Sequence, residues 1–324
     1  MKAIRCKSYG PPSGLVLEEI DALKAGPKEV VVQVKACGLN FPDTLIIQGL
    51  YQLKPELPFT PGSDIAGIVK EVGEGVSHLK VGQEVFGFVP YGGLAEEVIV
   101  PSNACFSKPS QMEFPVAASF LMAYGTSYHA LKDRAHLRQG ETLLVMGASG
   151  GVGLAAVELG KLMGAKVIAA ASTDEKLKLC KAYGADETIN YSTQDLKTIL
   201  KEMTRGKGID VVYDPVGGEY TEAALRAIAW NGRFLVIGFA AGVIPKIALN
   251  LPLLKGASIV GVFWGGFAMK EPQANMENTT TLIQWYAKGK LKPHIDRIYP
   301  IHETAIALEE MMGRKVMGKL VVDI

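Results

Sequence analysis

The residues with the clearest chemical promise are a run of glycines. Gly147-Ala148-Ser149-Gly150-Gly151-Val152-Gly153 follows the apolar run Thr142–Met146 and opens the helical pattern Val152–Met163. A strand, a glycine turn and a helix in that order make a cradle for phosphate. Glycine lets backbone approach a pyrophosphate closely, and the helix N-terminus presents free N–H groups and a partial positive charge. Gly150, Gly151, Val152 and Gly153 are therefore expected to hold the pyrophosphate of a dinucleotide. The next strand pattern, Lys166–Ala171, runs into Ser172. An NAD site places a carboxylate here to accept from the ribose 2′-OH. This chain has Ala171 and Ser172 instead, Lys176 four residues on, and Tyr191 after the third strand pattern. Space, a hydroxyl and a cation suit a 2′-phosphate, so NADP(H) is the expected cofactor. Ser172-Thr173-Asp174-Glu175 also reads as a helix N-cap. Two further glycine turns, Asp214–Gly218 and Gly238–Gly242, end strands on what should be the same edge, which brings Gly217 and Phe239 toward the ligand.

The elements that must position these residues alternate strictly. Strand patterns at Thr142–Met146, Lys166–Ala171, Glu187–Ile189, Ile209–Tyr213, Arg233–Ile237 and Ser258–Val262 are separated by helical patterns at Val152–Met163, Asp174–Tyr183, Asp195–Met203 and Tyr220–Ala229. Continuous apolar strands joined by helical crossovers imply a parallel sheet covered on both faces. Six of them give a doubly wound dinucleotide-binding, or Rossmann, domain. The first third is different. Val30–Val34, Ile65–Gly73, Gln83–Phe88 and Leu94–Val100 are short strands parted by Pro61-Gly62 and Gly92-Gly93. That spacing suggests a strongly bent β-unit. Val116–Leu131 is apolar and helical. After the sixth strand come a helix at Thr279–Gly289, a strand at Ile298–Pro300, a helix at Thr304–Met312 and a strand at Lys319–Val322. The expected division is therefore residues 1–122, residues 123–263, and a segment 264–324 that returns to complete the first domain.

The 324 residues suffice for about two domains. Thirty-four Lys+Arg against 33 Asp+Glu leave a net charge of +1, which disfavours a nucleic-acid-binding footprint. No apolar run reaches the roughly 18 residues of a membrane span, and the N-terminus lacks a signal-peptide pattern. The four cysteines are scattered, with no zinc-ribbon or disulfide spacing. A soluble cytoplasmic protein is the expectation.

At these residues the chain resembles the zinc-independent, zeta-crystallin-like quinone oxidoreductases of the medium-chain dehydrogenase/reductase superfamily. The resemblance runs end to end. It rests on Gly26–Tyr51, Leu57–Val69, Gly147–Gly153, Asn190-Tyr191 and Gly318–Val322. It departs from the usual GxGxxG by having Ala148 in place of the first glycine, as quinone reductases of this kind commonly do. The resemblance implies a GroES-like β-barrel catalytic domain beside the six-stranded Rossmann domain, with the active cleft between them. It further implies that Asn40, Asp43 and Tyr51 line the substrate and nicotinamide end, and that Thr126 approaches the nicotinamide. Phe239, Phe263, Trp264 and Lys319 would wall the remainder. Relatives of this fold pair their cofactor domains through an edge strand, so a homodimer is expected.

The resemblance also sharpens the question of metal. Zinc members of the superfamily use a cysteine, a His-Glu pair and a second cysteine. Cys37 stands at the first position, but the segment that should supply the histidine reads Pro61-Gly62-Ser63-Asp64, and the five histidines form no ligand pattern. A catalytic zinc needs three protein ligands and an open position, so no metal is expected. Without a Lewis acid, little remains to stabilise the alkoxide of an alcohol oxidation. Hydride addition to a quinone or an α,β-unsaturated carbonyl asks for less: orientation, a dry site and a few donors. Asn40 or Tyr51 is expected to donate to the developing oxyanion. An enoyl-thioester or alkenal reductase, and an NADPH-binding redox sensor with little turnover, are the alternatives.

Overall fold

The chain divides into two units, Met1–Met122 together with Pro293–Ile324, and Ala123–Lys292. The computed structural model describes every residue from Met1 to Ile324. In the first unit β1 (Lys2–Cys6) pairs antiparallel with β2 (Leu15–Glu19). β3 (Glu29–Gly38), β4 (Asp64–Val72), β5 (Glu84–Phe88), β6 (Glu97–Pro101) and β7 (Cys105–Ser107) follow. β3 organises them. It runs antiparallel to β4 from Val30 to Gly38, with register shifts at Val31/Val32 and Val34/Ala36. Such irregularities bend a strand and increase its twist. Its residues Glu29–Gln33 also pair with β6. Val30, Val32 and Val34 alternate into one core with Ile65, Val69, Val85 and Val98, the period of two that a strand imposes.

In the second unit β8 (Thr142–Met146), β9 (Lys166–Ala171), β10 (Glu187–Asn190), β11 (Ile209–Asp214), β12 (Ile228–Val236) and β13 (Ser258–Gly261) form one parallel sheet. Their order is β10-β9-β8-β11-β12-β13. Numbered from one within this unit, that is 3-2-1-4-5-6, the doubly wound dinucleotide-binding order. Leu143, Leu144, Val145, Val167, Ile168, Val211 and Val212 are fully buried, because helices cover both faces. No helix is long and apolar enough to cross a membrane.

The chain then returns to the first unit through β14 (Ile295–Pro300) and β15 (Lys319–Asp323), which lie parallel to one another. β15 pairs antiparallel with the end of β3, Val321 opposite Gly38. The expected return from residue 264 is corrected here: it begins at Pro293. Helices Trp264–Lys270 and Pro272–Ala287 belong to the second unit. They are tied there by polar contacts that the local sequence pattern does not show. The Trp264 indole N–H donates to Asn275, Lys132 donates to Asn278 Oδ1 at 2.6 Å, and Asn278 donates to Asp133 at 2.7 Å.

Two helix expectations also change. The Val116–Leu131 run is not one helix but three pieces, Phe114–Ala117, Leu121–Tyr128 and a π-helical turn His129–Arg134. The helix expected over Tyr220–Ala229 stops at Arg226, because Ile228 already pairs with Ile209 in the sheet.

Candidate active site

In the first unit, the end of β3 delivers Leu39 and Asn40 to a short helix, Phe41–Ile46. Asn40 is its N-cap residue, with a proline in the first turn. A proline there costs no hydrogen bond. Asp43 reaches back, and its carboxylate accepts the Asn40 N–H at 2.7 Å, the reciprocal half of a capping box. β15 lays its first residue, Lys319, against this corner. The Lys319 ammonium donates to Leu39 O at 2.7 Å and to Asn40 Oδ1. Asp64, which opens β4 opposite Gly38, lies 3.7 Å from the same ammonium. Its carboxylate also accepts from Asn40 Nδ2 at 3.1 Å and from the Met122 N–H at 3.2 Å.

Asn40, Asp43, Asp64 and Lys319 are all buried. Burial pushes each charged form toward neutrality, and mutual attraction opposes it. The Asp43 carboxyl is pushed up to about 7, chiefly by burial, while the Asn40 N–H and the Lys319 charge pull it down. Burial likewise raises Asp64 against the pull of Lys319, and lowers Lys319 against the pull of Asp64. Two carboxyls share one ammonium, so near neutral pH the surplus charge is relieved by a proton, and Asp43 is placed to carry it. Tyr51 is half-buried at the edge of this core. Its phenol is raised by burial and then by the Asp43 charge, and no protein group accepts from its hydroxyl.

This geometry bears on two of the expected site residues. The Asn40 amide is occupied: its oxygen takes Lys319, and its nitrogen faces Gly38 O, Ser63 Oγ and Asp64 Oδ2 at 3.3, 3.4 and 3.1 Å. Donation from this amide to any other acceptor would compete with these bonds. The Lys319 ammonium likewise spends its contacts on Leu39 O, Asn40 Oδ1 and Asp64 within the first unit. Ser63 and Asp64 belong to the site although the sequence reading noted them only for the histidine they lack. An acidic residue opening an apolar strand, with a lysine opening another, was the signal that could have found them.

In the second unit the glycine turn is built as its sequence implies. Gly150 is the N-cap of the helix Gly151–Leu162, and no side chain caps it. A Cβ on Gly153 would lie 2.3 Å from Gly147 O, so only glycine lets the helix pack onto the turn. A Cβ on Gly150 would meet nothing closer than Gly147 O at 3.5 Å, so this side of the turn is open. The Ala148 N–H donates to Ala170 O at 3.0 Å and seats the turn on β9. β9 ends at the buried Ala171. Beyond it, Thr173 caps the helix Asp174–Ala182, and Lys176 Nζ lies 3.4 Å from Ser172 Oγ. The nearby acid, Asp174, is engaged by Asn190 Nδ2 at 2.8 Å. Tyr191 follows β10, its N–H on Ala171 O, and its ring lies 4.4 Å from that of Tyr220. Ser172, Lys176 and Tyr191 thus follow the carboxyl ends of β9 and β10.

Gly217 has φ +68°, and the Asp214 carboxylate accepts its N–H at 3.0 Å. A Cβ there would touch Phe239 Cδ1 at 3.0 Å, so the two glycine-bearing turns meet. Thr126 is half-buried on the helix Leu121–Tyr128. Phe263 is 57% exposed. Trp264 is buried, with its ring against Gly125 and its indole on Asn275. Its indole thus packs within the second unit.

No group of three or more His, Cys, Asp or Glu is arranged to hold a metal ion. Cys37 is fully buried, and its thiol is held well above its usual range by burial and by the Asp43 and Asp64 charges. Ser63 Oγ faces Asn40, and the Lys319 ammonium already supplies the positive charge of this corner. These residues do not fit a catalytic zinc, which needs three protein ligands with N, S or O donors free to bind.

A parallel sheet of this order with a glycine turn, in one chain with a bent β-unit, defines a two-unit nucleotide-dependent dehydrogenase or reductase. Comparison with known proteins agrees. Residues 26–110 match the alcohol dehydrogenase GroES-like domain and residues 151–285 the zinc-binding dehydrogenase family. A quinone oxidoreductase-like protein 2 homolog of Nematostella vectensis is 40% identical over 99% of this chain and 88% of its own length. Quinone oxidoreductase-like protein 2 of Bos taurus is 38% identical over 100% of this chain and 92% of its own. The quinone oxidoreductase of Escherichia coli, solved in complex with NADPH, superposes with a TM-score of 0.94 at 29% identity, covering 100% of both chains. The chain belongs to the quinone oxidoreductase-like proteins of the medium-chain dehydrogenase/reductase superfamily.

Proposed function

We propose that this protein binds NADPH and uses it to reduce a quinone or an α,β-unsaturated carbonyl without a catalytic metal. The observation that carries the reading is the end of β9. Ala171 and Ser172 stand where an NAD site has a carboxylate, Lys176 lies 3.4 Å from Ser172, and Asp174 is engaged elsewhere. The N–H groups of Gly150–Gly153 would hold the pyrophosphate, and Ser172, Lys176 and Tyr191 the 2′-phosphate. Gly217, Phe239, Phe263 and Thr126 would take the rest of the dinucleotide. When bound, NADPH supplies a hydride.

The chain's own residues then have two tasks. The first is to orient. The Lys319–Asn40–Asp64 network fixes the corner that carries Asp43. The second is to answer the negative charge that develops on the acceptor oxygen. Tyr51 has the free hydroxyl, so it is the donor, and Asp43 is the neighbouring group that exchanges a proton near neutral pH. A protein with four free, buried thiols suits a reducing compartment such as the cytoplasm.

The test is a panel of quinones, enones and alcohols with NADPH and NADH, read at the nicotinamide absorbance band, beside a fluorescence titration with each nucleotide. The reading expects tighter binding of NADPH and turnover of quinones or enones with the metal chelated. NADPH binding with no turnover on any acceptor would instead make the chain a nucleotide sensor. Loss of turnover on chelation would overturn the metal-free mechanism.

The assembly proposed is a homodimer through β13. That strand is the edge of the parallel sheet, and beside it Trp230, Leu249, Leu253 and Leu254 are exposed. Apolar groups so clustered are costly to leave in water. Sedimentation velocity at micromolar concentration reads the outcome.

A further inference from the structure

We propose that Glu158 is a positioning residue for the nucleotide-binding edge, a buried carboxylate that locks the helix bearing Thr126 to the helix that opens at the glycine turn. The proposal rests on the reading of this edge as an NADPH site.

Glu158 sits in the middle of the helix Gly151–Leu162, between Val157 and Leu159, and is only 9% exposed. Its neighbours Ala155, Ala156, Val157, Leu159 and Gly160 are all buried. An apolar side chain would fill this place without the cost of burying a charge. The carboxylate is instead fully engaged. Its Oε2 accepts the Tyr124 hydroxyl at 2.7 Å, and its Oε1 accepts the Lys292 N–H at 2.9 Å. Tyr124 lies two residues before Thr126 on the helix Leu121–Tyr128. Lys292 is the last residue of the second unit. One side chain therefore joins three segments that are far apart in the sequence.

A second bond runs beside the first. The Ser127 hydroxyl donates to Val152 O at 2.8 Å, within the glycine turn. A serine has one hydroxyl hydrogen, so the 2.9 Å contact between Ser127 and Tyr213 must have Tyr213 as donor. Tyr124 and Ser127 are three residues apart and share a helix face. Two fixed points on one face, meeting Glu158 and Val152 on the other helix, set both the spacing and the rotation of the pair. Thr126 and Gly150–Gly153 are then held in one frame. The pyrophosphate end and the nicotinamide end of a dinucleotide are expected to contact these two sets of residues, so an error in the frame becomes an error in how both ends are gripped.

The decisive variants are Glu158→Gln and the apolar pair Glu158→Leu/Tyr124→Phe. Glutamine keeps both bonds: its oxygen accepts from Lys292, and its amide donates to the tyrosine oxygen. The apolar pair removes the buried carboxylate together with its tyrosine partner and restores packing between the two helices, leaving the Lys292 N–H as the one group that loses its acceptor. The readouts are the dissociation constant of NADPH by fluorescence, the emission maximum of the bound nicotinamide, and the melting temperature. Loss of a hydrogen bond to a charged group predicts a dissociation constant about tenfold higher for the apolar pair with a shifted emission maximum. The Gln variant should stay within about threefold of the parent by the same measure. An apolar pair that binds NADPH as tightly as the parent, with unchanged emission, overturns the proposal. So does a Gln variant as weak as the apolar pair. If the apolar pair does not fold, Tyr124→Phe alone carries the same test. A parent protein that fails to bind NADPH at all would overturn the cofactor reading itself, and this proposal with it.

Discussion

The Lys319 ammonium lies 3.7 Å from the Asp64 carboxylate, and both side chains are buried. One opens the last strand of the chain and the other opens β4. Asn40 joins them, accepting from Lys319 and donating to Asp64. A buried pair is costly to form but costlier to break, because the surviving charge has no partner. Lys319→Met should therefore destabilise the protein by about 3–5 kcal/mol, measured by urea denaturation. The double variant Lys319→Met/Asp64→Asn removes both charges and should recover most of that loss. A double variant no more stable than the single one would mean that Lys319 acts through packing alone.

Asp43 makes a separate prediction, in pH. Its folded value of about 7 stands above its ordinary 3.8. Between those limits the native state binds more protons than the unfolded chain. The contribution of Asp43 to stability is then fully present below about 3.8 and is lost as pH rises through about 7. Within this window the slope approaches about 1.4 kcal/mol per pH unit. Asp43→Asn cannot titrate but can still accept the Asn40 N–H, so its stability should change less between pH 5 and 8 than that of the parent. Parallel slopes in the two proteins would place the titration on another group.

The second unit was largely readable in the sequence, and the reasons are local. Its strands are buried on both faces, so they appear as unbroken apolar runs such as Leu143–Met146 and Val167–Ala171. Gly147–Gly153 sits where the strand, turn and helix patterns join. In the first unit the family resemblance supplied Asn40, Asp43 and Lys319, but not the network that joins them to Asp64, because Asp64, Asn40 and Lys319 come from distant parts of the chain and no window contains all three. The helix Phe41–Ile46 is too short to show a period. Its only signals are the cap at Asn40, the proline beside it and Asp43 three residues on. The assignment of Trp264–Ala287 failed for the same reason. Its allegiance is set by Lys132 and Asp133 reaching Asn278 across nearly half the chain.

Tyr51 is expected to matter to turnover and not to folding. Its hydroxyl has no partner in the protein, so Tyr51→Phe should change stability by no more than about 0.5 kcal/mol. Removing a donor aimed at a developing oxyanion typically costs about a hundredfold in kcat. The measurement is steady-state kinetics on the best quinone or enone, with the NADPH dissociation constant as control. A fall in kcat with unchanged nucleotide affinity supports the assignment. An unchanged kcat would leave Tyr51 as an aromatic wall.

The strongest discriminator of the cofactor reading lies at Ser172. Its hydroxyl is 3.4 Å from the Lys176 ammonium, at the end of a strand that carries no carboxylate. Ser172→Asp would place an acid within reach of Lys176, where it would pair with the ammonium and repel a 2′-phosphate. Lys176→Ala would remove the cation without adding a charge. Both should weaken NADPH and spare NADH, but to different degrees. Loss of one partly exposed cation is worth about tenfold at low salt and less as salt screens it. Loss of the cation combined with a new repulsion should approach about a hundredfold. Salt separates the two causes, since the Lys176→Ala defect should shrink between 0.02 and 0.5 M ionic strength, by about the factor that screening predicts. If both variants bind NADPH and NADH with the parent's ratio, the 2′-phosphate is held somewhere else and the preference for NADPH has no basis at the end of β9.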